Sequence, residues 1–104
     1  MTEETRERRM DCVMEYYSEA LEELMGGQGY AKRAYHSTHP EEKAYYVRMA
    51  RQELEHMENL KAMAHQKAKD DPIVLHIWGK LQKHLDSWKD KIVEKIKMAE
   101  SKTM

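Results

Sequence analysis

The segment RQELEHMENL, residues 51–60, carries Glu53 and His56 in the spacing Glu-x-x-His. Residues three apart are neighbours on one helix face. A hard carboxylate beside a neutral imidazole is a donor set that suits a divalent transition ion. Tyr46, Met49, Ala50, Met57, Leu60 and Ala64 recur at helical spacing around this pair. At about 100° per residue, Glu53 falls near the middle of that apolar stripe and His56 about 60° to one side. An unpaired carboxylate in such a stripe is costly and calls for a partner. Glu23 is the first candidate. It is the one acid in a second stripe, Tyr16, Ala20, Gly27, Tyr30 and Ala34, in which every step is three or four residues.

The two acids share a level. The midpoint of 23 and 53 is position 38, inside the segment STHPEE, where a turn is expected. Antiparallel helices joined there would carry Glu23 and Glu53 at the same height, roughly 20 Å from the turn. Two carboxylates and an imidazole at one height in apolar surroundings suggest a metal ion, because a divalent cation removes the repulsion between the acids.

The elements that would hold these residues are all helical. The spacing predicts helices over about 4–36, 40–68 and 72–100, within a single domain 1–104, and no stretch keeps strand alternation. Pro40 and Pro72 each open a periodic segment. Thr38 with Glu41 fits a capping box, and Asp71 fits an N-cap. The first helix has a further stripe, Met10, Val13, Met14, Tyr17, Leu21 and Leu24. The stripe through Glu23 crosses Gly26, Gly27 and Gly29 without losing phase, so the helix is expected to continue, with a kink at Gly26–Gly27 as the alternative. The third helix shows Ile73, Ile77, Leu81, Leu85, Trp88, Ile92 and Ile96 as its apolar line, and the tail AESKTM is expected to fray.

Composition excludes several classes. A net charge of −1, with Lys and Arg numbering 18 against 19 acids, lacks the clustered basic excess of a nucleic-acid binder. The first residues, MTEETRERRM, lack the apolar core of a signal peptide, and no run is long enough to span a membrane. The single cysteine, Cys12, has no internal disulfide partner. These features suggest a soluble, cytoplasmic protein, or one carried inside a protein compartment. No phosphate loop, nucleotide fingerprint or nucleophile-base-acid set is present.

Counting ligands suggests an assembly. Carboxylate-bridged di-iron bundles use a Glu from each of two helices and a Glu-x-x-His from each of two more. This chain has one helix of each kind, which is half the set. Two chains would bring four Glu and two His, and four carboxylates would balance two divalent ions. From about Glu19 to Met57 the chain resembles the encapsulated ferritins, the half-ferritin branch of the ferritin-like superfamily. The pattern Glu23, Tyr30, Pro40, Glu53, His56 is held without an inserted gap. Glu22 keeps one of the acids that flank the ligand Glu near that family's metal-access path, and Met25 stands where the second is expected. The resemblance implies an all-α fold: an antiparallel two-helix hairpin plus an amphipathic third helix, with a ferritin-like four-helix core completed by dimerisation. It implies Glu23, Glu53 and His56 as metal ligands and catalytic residues, two iron ions per dimer, and Fe(II) oxidation by O2 for iron storage or detoxification. It also implies a homodimer or higher homo-oligomer and an encapsulin-type shell as partner, although the tail AESKTM contains no recognised docking peptide.

Other readings stand beside this one. Zinc or manganese could fill the same ligands. A metal-free helical scaffold would instead neutralise Glu53 with a cation such as Arg33. Glu19 and Glu22 read as solvent-facing, and a change of helix phase at the glycines would put one of them in the place of Glu23. Tyr16, Tyr30 and Tyr46 either line the site or pack. His36, His39, His65, His76 and His84 read as solvent or turn residues.

Overall fold

The computed structural model describes residues 3–102. These residues form α1, Glu3–His36; α2, Pro40–Ala68; and α3, Pro72–Ser101. The described residues are all-helical, and their helices measure 34, 29 and 30 residues. A 34-residue helix is about 51 Å long. The described residues span 59 × 16 × 14 Å, so the helices run nearly along the long axis.

The chain reverses at each loop. Arg9 donates to the Lys67 carbonyl, the Tyr30 and Tyr46 rings stack at 6.2 Å, and Glu23 meets Glu53. Each pair is centred on position 38, which fixes α1 and α2 as antiparallel in the register expected from the sequence. Arg6 bonds Asp71 at one end of the rod, while Trp88 Nε1 donates to Gln28 Oε1 and Lys102 Nζ to the Tyr35 carbonyl toward the other. Helix α3 therefore runs parallel to α1.

Helix α1 passes through Gly26, Gly27 and Gly29 without a break, and none has positive φ. Gly27 is buried where the α2 backbone at Ala50 and the Leu54 side chain come closest. The core combines such small positions, including Ala20, Ala31, Ala34, Ala50 and Ala64, with Leu24, Met57, Trp78, Leu85, Ile92 and Ile96.

Three expectations need correction. The first half of α3 buries Val74 and Trp78, and Ile73 is 51% exposed. Steps of four residues each overshoot a full turn by about 40°, so Ile73 lies about 120° from Leu85, while Val74 and Trp78 lie about 20° from it. Met14 is 44% exposed rather than part of the core. The capping box does not form: α2 begins one residue later than that motif needs, with His39 as N-cap and no side-chain cap. The loop is tied instead by Ser37, whose hydroxyl donates to the His39 carbonyl and accepts from the His39 N–H.

The second loop behaves as expected. Asp71 caps α3 by accepting from the N–H groups of Ile73 and Val74, and Arg6 Nε lies 2.8 Å from Asp71 Oδ2. The Arg6 hydrogen bond holds the Asp71 carboxyl below its ordinary 3.8, assisted by the two backbone donors against the opposing effect of burial. A depressed carboxylate stabilises the fold above its unfolded value and loses that contribution as pH falls through the folded value. Asp71→Ala is expected to lower the thermal midpoint at pH 7 and to flatten its fall below pH ~4. Asp71→Asn, which retains an accepting oxygen, should lose less. Thermal melts from pH 7 to pH ~2 check both.

Candidate metal centre

The cluster lies on the long pair of helices at mid-height. Glu23 comes from α1, and Glu53 and His56 from α2. One ligand atom from each lies within 4.8 Å of the others. Glu19 and Glu22 are exposed, so the unbroken phase of α1 presents Glu23 and not its neighbours to α2. Glu53 stands at the edge of the α2 apolar face, not in its middle. The buried line of α2 includes Val47 and Leu54, which move its centre away from Glu53. The cluster is consequently half-open. Glu23 and Glu53 are partly buried, and the His56 side chain is 56% exposed.

Among the described residues, His56 is the basic group that faces the two acids. Glu23 Oε2 is buried without a hydrogen-bond partner, and His56 Nδ1 stands 3.4 Å away. The Glu53 carboxyl is raised from its ordinary 4.5 to about 6, first by its hydrogen bond to the Glu23 carboxyl, then by burial and by the Glu23 charge. His56 opposes that rise. Arg33 lies over the Tyr30 and Tyr46 rings at 5.7 and 6.0 Å, and is not among the groups that set the charge of Glu53. The cation expected for a metal-free ion pair is therefore used elsewhere. Tyr30 and Tyr46 pack against each other two helical turns from the acids, toward the α1–α2 loop.

An open cleft of about 410 Å³ leads to the cluster, lined by Glu19, Glu22, Glu23, His56, Asn59 and Leu60. Residues of α1 and α2 alone line it, so α3 leaves this face uncovered. Asn59, one turn beyond His56, is a polar neighbour that the Glu-x-x-His pattern does not flag. The remaining histidines, His36, His39, His65, His76 and His84, are all exposed. Cys12 is a half-buried free thiol.

The residues fit a divalent ion. Two carboxylates and an imidazole form a hard, oxygen-rich donor set, and the buried Glu23 Oε2 faces His56 without a hydrogen bond of its own. Three donors from one chain leave coordination positions open. No family model, curated protein or solved structure matches the chain.

The raised Glu53 carboxyl has a consequence for stability. Its folded value exceeds its unfolded value, so the protonated form favours the fold. That contribution is complete below pH 4.5 and is lost as pH rises through about 6. Glu53→Gln removes the charge yet can still donate to Glu23. It is expected to stabilise the ion-free protein at pH ~7.5 by about 1 kcal/mol after solvent screening, or about 4 °C in thermal midpoint. The difference from wild type should shrink toward pH ~4.5. Parallel melts of the chelated proteins across this range provide the check.

Proposed function

We propose that this chain is a ferritin-like, iron-handling protein that oxidises Fe(II) with O2 at a di-iron carboxylate site shared by two copies. The observation that carries this reading is the convergence of Glu23, Glu53 and His56, with a buried Glu23 oxygen that makes no hydrogen bond and, among the described residues, no lysine or arginine paired with either acid. The resemblance to encapsulated ferritins, through Glu23, Tyr30, Pro40, Glu53 and His56, supports the choice of iron over zinc or manganese.

Two copies would supply four Glu and two His, the donor count of a carboxylate-bridged di-iron site. The face available for pairing holds half-buried Tyr16, Tyr30, Tyr46 and Met49 around the acids. Glu23, Glu53 and His56 of the two copies would hold the ions, and the four carboxylates would balance the charge of two Fe(II). Carboxylates favour Fe(III) and so lower its potential. His56 supplies a neutral donor, and open coordination positions admit O2. Each Fe(II) loses one electron. O2 takes up both, and two protons complete its reduction to hydrogen peroxide. Storage of oxidised iron in bulk would require a shell or higher assembly, because a half-bundle encloses no cavity.

Anaerobic Fe(II) titration of the ion-free protein tests the reading. Saturation at about one iron per chain, a metal-dependent dimer and oxygen-dependent ferric absorbance are the expected results. Glu53→Ala should abolish saturable binding and slow oxidation to the rate of free Fe(II). Chelation should loosen a metal-bridged dimer. An unchanged oxidation rate and stoichiometry in Glu53→Ala would defeat the proposal.

A further inference from the structure

Three glycines of one α1 segment meet different surroundings. A Cβ on Gly29 would have nothing within 4 Å. A Cβ on Gly27 would stand 3.6 Å from Glu53 Cβ and from Leu54 Cδ2, which is ordinary van der Waals contact. A Cβ on Gly26 would stand 2.8 Å from Glu53 Oε2, 3.3 Å from its Cδ and 3.5 Å from its Cγ. The first of these distances is too short for contact. The Glu53 side chain thus lies flat against α1 in the space that any other residue at 26 would fill.

The position of that space matters for the cluster. Gly26 follows Glu23 by three residues, so the two are neighbours on one face of α1. A helical side chain leans toward the N-terminus and covers the turn before its own Cα. A side chain at 26 would therefore lean toward Glu23, across the route by which Glu53 reaches it. We propose that Gly26 is a positioning residue of the metal centre, its missing side chain being the space through which the Glu53 carboxylate meets Glu23. The inference rests on the metal-binding reading for its functional meaning and on contact geometry for its content.

Helix energetics separate this role from a structural one. Replacing a helix-interior Gly by Ala favours the helix by propensity alone. The clashing atoms belong to the far end of a flexible side chain, so Glu53 can swing away and leave the fold intact. Gly26→Ala should then fold with a thermal midpoint no lower than wild type while its metal affinity falls. Gly29→Ala gains the same propensity and should leave the affinity untouched.

The test is Co(II) binding to the full chain, read by visible absorbance, alongside thermal melts and a crystal structure of ion-free Gly26→Ala. The expected result is a 10- to 100-fold weaker Co(II) affinity in Gly26→Ala, roughly the range set by losing a ligand-orienting contact. Wild-type affinity in Gly26→Ala would overturn the proposal, as would an equal loss in Gly29→Ala. If wild type itself binds no Co(II), the metal-binding reading fails. The crystal structure then decides the positioning role: a Glu53 carboxylate displaced from α1 supports it, and one still seated there refutes it.

Discussion

The approach of Glu23 to Glu53 across the α1–α2 seam is unfavourable taken alone. Two carboxylates meet in partly buried surroundings, and their contact, with burial, raises the Glu53 carboxyl above its ordinary range. The remaining architecture makes the meeting unavoidable. The loop centred on position 38 sets the level. The stacking of Tyr30 on Tyr46 and the Arg9 bond to the Lys67 carbonyl hold the same register above and below. Slipping one helix by a turn would separate the acids, but it would also break both of these contacts.

Close approach of the helices depends on small residues. Gly27 is buried against α2 at Ala50 and Leu54, and the buried alanines Ala20, Ala31, Ala34, Ala50 and Ala64 extend the packing of small residues. Glycines inside a helix lower its stability. Three of them between positions 26 and 29 make that part of α1 intrinsically weak. The helix persists because α2 and α3 bury it along its length, which is how tertiary packing overrides propensity.

Much of this was legible in the sequence, because a period of three and four residues and the symmetry about position 38 are direct consequences of helix geometry. The three helices, the cap at Asp71 and the level of Glu23 with Glu53 follow from that geometry. What was not legible depended on which side chains win the core. Ile73 and Val74 are adjacent, and only the line through Trp78 and Leu85 decides between them. Glu53 was expected in the middle of its stripe and lies at its edge, because Val47 and Leu54 draw the α2 core away from it. The Thr38 capping box failed by one residue, since α2 begins at Pro40 with His39 as its N-cap. The demand on Gly26 was invisible until the Glu53 side chain was placed, since composition alone makes Gly26 and Gly29 equivalent.

The contrast between the two sides of α2 argues that the meeting of Glu23 and Glu53 is not an accident of a charged surface. Toward α3, charge is matched. Glu58 meets Lys61 and Lys89, Lys61 also bonds Asp86, and Arg51 pairs with Glu100. Among the described residues, Glu23 and Glu53 have no lysine or arginine partner, and Arg33 lies farther along α1 over two aromatic rings. The 18 lysines and arginines of the chain nearly equal its 19 acids. Placing those cations on the α3 side while leaving two carboxylates facing each other concentrates an unmet negative potential at one point. That potential has two physical remedies: a proton shared between the acids, which Glu53 takes up below about pH 6, or a positive ion. At neutral pH the proton is lost. The half-open cluster on the uncovered α1–α2 face then leaves an added cation as the remaining remedy, which is what the proposed site supplies.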